Sequence, residues 1–290
     1  MAAACPAGID TGFVTLGYAK VAVLGVVQGI TELLPISSTA HMRIIPALLG
    51  WRDPGSAFSA AMQLAALAAV ISYFWHDVRR LAAGSASAIR QRRFADPDLR
   101  LAVWIALATV PIALAGAVLS TRLNTCNSPL RALPVIGWAC IVMAVLMGLT
   151  EVLARHRRRV TDASLLDALL IGLGQVGALI PGVSRSGSTL TTALALGFKR
   201  EEAARFSFLL GIPAIALAGT KELWELHKAN LDPHGWTILA LGLAVASLSA
   251  FAAIWTLMRV LERFSAWPFV IYRATLGVII LVASSQAWLA

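Results

Sequence analysis

Charge is scarce in this chain: 13% of its 290 residues are Asp, Glu, Lys or Arg, whereas 58% are hydrophobic, and the mean hydropathy is +0.76. A soluble domain carries about a quarter charged residues, so that class is excluded and a polytopic membrane protein is indicated. Acidic residues are the scarcer sign, 15 against 24 Lys and Arg, for a formal net charge of +9. The basic surplus sits in short loops between apolar runs, which fits loop-charge orientation of spans and not nucleic-acid binding. Cysteine is also sparse. Cys5, Cys126 and Cys140 have neither metal-ligand nor paired spacing, which argues against a zinc site and a disulfide framework. No basic run precedes an apolar one within the first twenty residues, so insertion is expected to use internal spans and not a cleaved signal peptide.

What is abundant is apolar sequence cut by short polar breaks. Residues 21–34 are apolar around Gln28, Thr31 and Glu32, end at Pro35, and resume at 40–49 after Ser37, Ser38 and Thr39. Residues 169–180 and 190–198 flank Pro181-Gly182-Val183-Ser184-Arg185-Ser186-Gly187-Ser188-Thr189 in the same way. None of these arms reaches the roughly 20 residues that cross a bilayer. Two re-entrant helical hairpins are therefore expected, with broken backbone buried in protein or lining a cavity. Spans are expected at 57–75, 101–119, 132–153, 206–220, 236–258 and 268–289. The basic loops 76–100 and 155–159 fall on the cytoplasmic side by the positive-inside rule. The fold class is all-α: six transmembrane helices plus two hairpins in a single membrane domain.

Gln28-Gly29-Ile30-Thr31-Glu32-Leu33-Leu34-Pro35-Ile36-Ser37-Ser38-Thr39 resembles Gln175-Val176-Gly177-Ala178-Leu179-Ile180-Pro181-Gly182-Val183-Ser184-Arg185-Ser186: a glutamine, an apolar half-turn, a proline, then hydroxyls. Phe58-Ser59 and Phe206-Ser207 follow at nearly the same offset. One hairpin and three spans per half, 1–159 and 160–290, give an inverted-topology repeat, because an odd span count turns the second half over.

If the hairpin tips meet, Gln28, Glu32, Ser37, Ser38, Thr39 and His41 share a pocket with Ser184, Arg185, Ser186, Ser188 and Thr189. A glycine- and hydroxyl-rich loop feeding a helix N-terminus suits a phosphate. Arg185 offers a bidentate fork to its oxygens; the alternative is a guanidinium snorkelling to the interface or paired with Glu32. Ser38 is a candidate nucleophile or a helix N-cap. His41, three residues on, shares its helix face and is a candidate proton acceptor or donor; the plain alternative is a hydrogen-bonded buried histidine. Gln28 and Glu32, four apart, supply a carboxylate and an amide oxygen for Mg²⁺ or Ca²⁺, a thin set for a metal, and Glu32 is equally a general base. Gln63, Tyr272 and Arg273 interrupt apolar spans and either line the cavity or bond helix to helix.

With Ala40-His41 added to the first run, these two motifs resemble the signatures of the bacterial undecaprenyl-diphosphate phosphatases of the bacitracin-resistance type. Phe206-Ser207-Phe208-Leu209-Leu210 and Phe269-Val270-Ile271-Tyr272-Arg273 are similar to later segments of that family. The resemblance implies an inner-membrane enzyme that removes the terminal phosphate of a C55 polyprenyl diphosphate, recycling the lipid carrier for cell-wall synthesis and conferring bacitracin resistance. It implies Glu32, Ser38, His41 and Arg185 as catalytic residues. It implies Ser184, Arg185 and Thr189 as phosphate-binding; Ser37, Thr39, Ser186 and Ser188, which share the pocket, join them as candidates, and Gln28 with Glu32 are the candidates for any Mg²⁺ or Ca²⁺, with no organic cofactor expected. Gln28 is within the family pattern, and Ala40 replaces a usual glycine. The expected partners are the polyprenyl diphosphate and membrane lipids, with a homodimer left open and a site opening to the periplasm. An inverted-repeat transporter or lipid flippase is the competing class, but transport alone requires no serine and histidine opposite an arginine.

Overall fold

The structure, a computed structural model, describes residues 11–123 and 129–286. Cys5 and Cys126 lie outside the described residues. Eleven α-helices occupy nearly all of the described chain, and the only β pairing among those residues is an isolated bridge between Arg158 and Phe198. An all-helical answer follows from the composition: in an apolar medium a helix satisfies its own N–H and C=O groups within one segment.

In chain order, α1 is Gly17–Leu33, α2 Ser38–Leu48, α3 Ser56–Tyr73, α4 Trp75–Arg90, α5 Pro97–Leu123, α6 Leu133–Leu153, α7 Leu165–Val176, α8 Arg185–Ala195, α9 Arg200–Lys228, α10 Pro233–Arg263 and α11 Trp267–Ser285. By length and composition six stretches among the described residues can cross a membrane: Gly12–Leu33, Pro97–Leu119, Leu133–Leu153, Arg200–Lys228, Pro233–Arg263 and Trp267–Ser285. The number matches the expected six, but the membership differs. A short 3-10 turn, Gly12–Leu16, runs into α1 and lengthens the first arm to 22 residues. The stretch expected as a span at 57–75 stops at Tyr73 and qualifies only together with α4, from which it is bent by 77°.

One loop read from charge is also helical. Within 76–100, α4 is amphipathic, burying Asp77, Leu81 and Ala88 while its arginines stay at the surface. Further on, the charged residues 199–202 open α9, where Glu201 and Glu202 sit in the first turn, a favourable place for acidic groups against the helix dipole.

The packing has a paired character. Helix α1 lies along α10 and α7 along α5, while α3 packs on α9 and α6 on α11. Gly25 of α1 and Gly172 of α7 stand in equivalent places relative to the two motifs. An added Cβ would meet the Gly242 carbonyl oxygen at 2.9 Å in the first case and the Ala108 carbonyl oxygen at 2.4 Å in the second. Between α6 and α11, Gly137 and Gly277 each approach the other's carbonyl. Small residues let backbones close up where helices have no hydrophobic drive to associate. Around these contacts the core fills with Phe198, Phe206, Phe208, Ile171 and Leu194 on one side and with stacked Phe13 and Phe58 on the other.

Gly29 is the tightest test of this packing, because a Cβ there would stand 2.3 Å from the Ala246 carbonyl oxygen and 2.8 Å from the Ala250 amide nitrogen. Gly29→Ala gains up to about 1 kcal/mol of helix propensity but overpacks against backbone, at about 1–3 kcal/mol. A lower unfolding midpoint in detergent is expected, and a higher one would show that α1 and α10 are not in contact at this level.

Candidate active site

Both chain breaks have local causes. Leu34 precedes Pro35, and the proline ring drives its predecessor out of the helical region; Leu34 is extended at φ −69, ψ 144, and α1 ends. Ser37 then turns the chain at φ 73 and caps α2, its hydroxyl oxygen accepting from the Ala40 amide. In the second break Gly182 (φ 99) and Ser184 (φ 68) play the same part, and the Ser184 hydroxyl accepts from the Gly187 amide at 3.2 Å. The cap of α2 is thus Ser37 and not Ser38, which occupies the first helical position. Arg185 is the first residue of α8. Non-glycine residues at positive φ are held only where the surroundings over-determine them. Each short helix runs for eleven residues and ends before a glycine of positive φ, Gly50 and Gly197.

The two tips touch. The Ser186 hydroxyl lies 3.2 Å from the Glu32 carbonyl and 3.3 Å from that of Leu34. Arg273 of α11, fully buried, donates to the Pro35 carbonyl at 3.0 Å and to those of Gly182 and Val183 at 2.8 Å each. Free carbonyls of both broken helices are therefore held by one guanidinium.

At the junction, Glu32 is the hub. Its Oε2 accepts from the Ser38 hydroxyl at 2.6 Å and from the Gln28 amide at 3.0 Å, and its Oε1 accepts from Arg185 Nη2 at 3.3 Å. The Glu32 and Arg185 side chains are 5% and 11% exposed, and a buried carboxylate needs that partner. His41 makes different bonds. Its Nδ1 is 2.7 Å from the Ser37 carbonyl, which can only accept, so Nδ1 carries a proton. In the neutral ring Nε2 then accepts from the Tyr272 hydroxyl, also at 2.7 Å. Ser38 is thus bonded to the carboxylate and not to the imidazole.

The remaining hydroxyls divide by task. Thr39 is exposed at the first tip, within 3.4 Å of Ser37. Ser184 and Ser186 lie 3.2 Å apart. Ser188 and Thr189 are buried and donate to the Arg185 carbonyl at 3.1 and 2.8 Å, and Thr189 also meets Ser207. The first-turn amides that the caps leave over, those of Ser38, Thr39, Arg185 and Ser186, are what each helix N-terminus offers an anion. Gln63 is half-buried on α3 and takes no part in the bonds that join the breaks.

Two glycines shape the site, Gly187 within the second motif and Gly211, which sequence reasoning passed over. A Cβ on Gly211 of α9 would stand 2.1 Å from Arg185 Nη1, and one on Gly187 would stand 2.5 Å from Arg273 Nη1. Each guanidinium lies where a side chain has been omitted. Nothing in the local sequence at Gly211 signals this, because it is a contact between separate helices.

For a divalent cation the residues fit as a partial donor set. Among the described residues no group of three His, Cys, Asp or Glu comes together. Gln28 Oε1, however, is buried without a partner beside the Glu32 carboxylate. Two oxygens of the kind Mg²⁺ or Ca²⁺ takes are thus at hand, and phosphate oxygens would have to supply the others.

Several apolar helices of spanning length, with the half-buried Ser38 and Arg185 at two helix N-termini and the buried Glu32 in the last turn of α1 between them, indicate the class: a multi-pass membrane protein with a polar cluster at the junction of its two breaks. The particular family follows from comparison. The model for "Bacitracin resistance protein BacA" matches residues 21–279, and the chain belongs to that family. A protein of Mesorhizobium japonicum named undecaprenyl-diphosphatase 2 is 73% identical over 263 residues, which cover 91% of this chain and 100% of that one. Undecaprenyl-diphosphatases of Trichormus variabilis and a Nostoc species are 45% and 48% identical, over 97% and 91% of this chain and 88% and 82% of theirs.

The Arg273 strap predicts its own test. Lysine offers a single point charge in place of the fork, so Arg273→Lys gives up at least one of three bonds to buried carbonyls. With about 1.5–3 kcal/mol for each charged bond, the unfolding midpoint in detergent is expected to fall clearly, and an unchanged midpoint would remove Arg273 from this role.

Proposed function

We infer that this chain hydrolyses undecaprenyl diphosphate to undecaprenyl phosphate and inorganic phosphate, recycling the lipid carrier of cell-wall synthesis and conferring resistance to bacitracin. The observation that carries the reading is the 2.6 Å bond from the Ser38 hydroxyl to Glu32, whose other oxygen faces Arg185.

Glu32 is the general base: it takes the hydroxyl proton as Ser38 Oγ attacks the terminal phosphorus. The bond from that phosphorus to the bridging oxygen breaks, and undecaprenyl phosphate departs. Arg185 and the leftover amides of α2 and α8 stabilise charge on the transferring oxygens, where fixed donors count for most. Glu32 passes the serine proton to the departing undecaprenyl phosphate and is again a carboxylate; it then takes a proton from the attacking water and returns it to Ser38 Oγ as the bond from Ser38 to phosphorus breaks and inorganic phosphate leaves. His41 is held in one tautomer by Ser37 and Tyr272, and it exchanges a proton with the phosphates where a phosphate oxygen takes the place of the Tyr272 hydroxyl on Nε2. Ser37 and Ser184 cap the two helices, Thr39 and Ser186 line the tips, and Ser188 and Thr189 keep Arg185 in place. Where Mg²⁺ or Ca²⁺ is present, Glu32 and Gln28 would hold it with phosphate oxygens, and it would neutralise phosphate charge.

The architecture proposed for this chemistry is one membrane domain of two inverted repeats, 1–159 and 160–290. Each has a re-entrant hairpin, α1 with α2 and α7 with α8. The equivalent caps Ser37 and Ser184, the paired glycines Gly50 and Gly197, and the matching partners of α1 and α7 support it. With the basic loops in the cytoplasm, the protein sits in the bacterial inner membrane with its site open to the periplasm. A homodimer is compatible with this arrangement.

Purified protein in detergent is expected to release phosphate from a polyprenyl diphosphate. Ser38→Ala should abolish release, and denaturant quenching of the native enzyme should trap phosphate on Ser38. Arg185→Lys should cost about a hundredfold or more in kcat, in the range seen when one charge-stabilising donor is removed. Near-normal turnover by Ser38→Ala would sink the nucleophile, and full activity of Arg185→Lys would sink the clamp.

A further inference from the structure

A cleft of about 560 Å³ opens between the end of α10 and the start of α11. Its walls are Thr256, Val260, Phe264, Trp267 and Ile271, and its floor reaches Leu34. It is apolar: the Thr256 hydroxyl is spent on the Ala252 carbonyl at 2.9 Å. Phe264, Trp267 and Ile271 are 66%, 42% and 61% exposed, so the cleft is open along its length and not an enclosed core void.

What gives the cleft a meaning is its connection to the site. Leu34 lies two residues beyond Glu32, and its carbonyl receives the Ser186 hydroxyl. Ile271 directly precedes Tyr272, which holds His41. The apolar wall therefore begins at the same break that positions the carboxylate.

Resting on the phosphatase reading, we propose that this cleft holds the head-proximal isoprene units of the substrate's polyprenyl chain. A chain whose diphosphate is seated between α2 and α8 must leave the site through an apolar exit. This cleft shares Leu34 with the first break and opens on an exposed apolar surface formed by Phe264, Trp267 and Ile271. Its volume is that of an ordinary small-ligand pocket, so it takes the first part of a C55 chain and leaves the rest in the bilayer. Branched isoprene units suit the aromatic surfaces of Phe264 and Trp267, which offer large contact area with little loss of side-chain freedom. The cleft thus reads the lipid part of the substrate while the two helix tips read the phosphates.

The test uses the whole protein in detergent and a polyprenyl diphosphate with a photoreactive group on its first isoprene units. Irradiation is expected to label residues 256–271, and labelling confined to other segments would overturn the proposal. A second arm uses Val260→Trp, which fills the cleft away from Glu32, Ser38 and Arg185. KM for the long-chain substrate should rise at least tenfold with kcat within about twofold, and an unchanged KM would overturn it too. Failure of the native protein to release phosphate would remove the phosphatase reading, whereas the labelling pattern would still decide whether a lipid chain occupies the cleft. An ordinary phospholipid chain as occupant would show as labelling of the cleft by a photoreactive phospholipid that excess polyprenyl diphosphate does not displace, and would overturn the assignment.

Discussion

Two broken helices in an apolar protein leave carbonyl groups that water cannot reach, and Arg273 is the answer to that constraint. Its guanidinium joins Pro35 of the first break to Gly182 and Val183 of the second. A charge so deeply buried is tolerated because both its Nη groups are spent on buried backbone carbonyls. The consequence is geometric. Once both breaks are fixed to one residue of α11, the N-termini of α2 and α8 cannot separate, and Ser186 can reach the Glu32 carbonyl. The positions of Ser38, Glu32 and Arg185 relative to one another follow from that junction and not from any one segment.

Within the junction, the choice between carboxylate and imidazole as partner of Ser38 is made by direction and not by distance along the chain. Ser38 and His41 share a helix face, as their spacing requires. The Glu32 carboxylate nevertheless approaches the hydroxyl from α1, while the imidazole is turned away by Ser37 on one side and Tyr272 on the other. Arg185 pairs with Glu32 in the structure, and in the proposed mechanism it is also the partner of the incoming phosphate. A diphosphate that draws Arg185 toward itself would then leave Glu32 free to take the proton of the proposed nucleophile.

Much of this was legible in the letters. Apolar runs punctuated by proline and hydroxyls announced both breaks, and the motif pair brought Glu32, Ser38, Arg185 and their neighbours onto one list. The parts that were not legible share a cause: they are contacts between distant segments. The span membership shifted because Gly12–Leu16 joins α1 and because α3 turns at Phe74. The strap role of Arg273 and the room made by Gly211 and Gly187 depend on helix placement. Ser37 as the cap instead of Ser38 depends on one residue of helix register, below what propensity resolves. Charge misled in one respect, since α4 carries its arginines on the outer face of a helix and not on a loop.

The proposed repeat also accounts for the asymmetry of the chemistry. Ser38 and Arg185 occupy the same position, the first residue after a serine cap at positive φ, at the head of an eleven-residue helix. One frame thus presents a nucleophile in the first half and a cation in the second. The position of Glu32 falls on Leu179 in the second half, so a carboxylate is present once. Gln28 and Gln175 remain alike in identity but not in environment: the first bonds Glu32, and the second is fully buried with neither amide atom bonded. Two identical halves would offer either two serines facing each other or two arginines repelling each other across the junction. Divergence at Ser38/Arg185 and at Glu32/Leu179 makes the two helix N-termini complementary, as the proposed phosphate site requires.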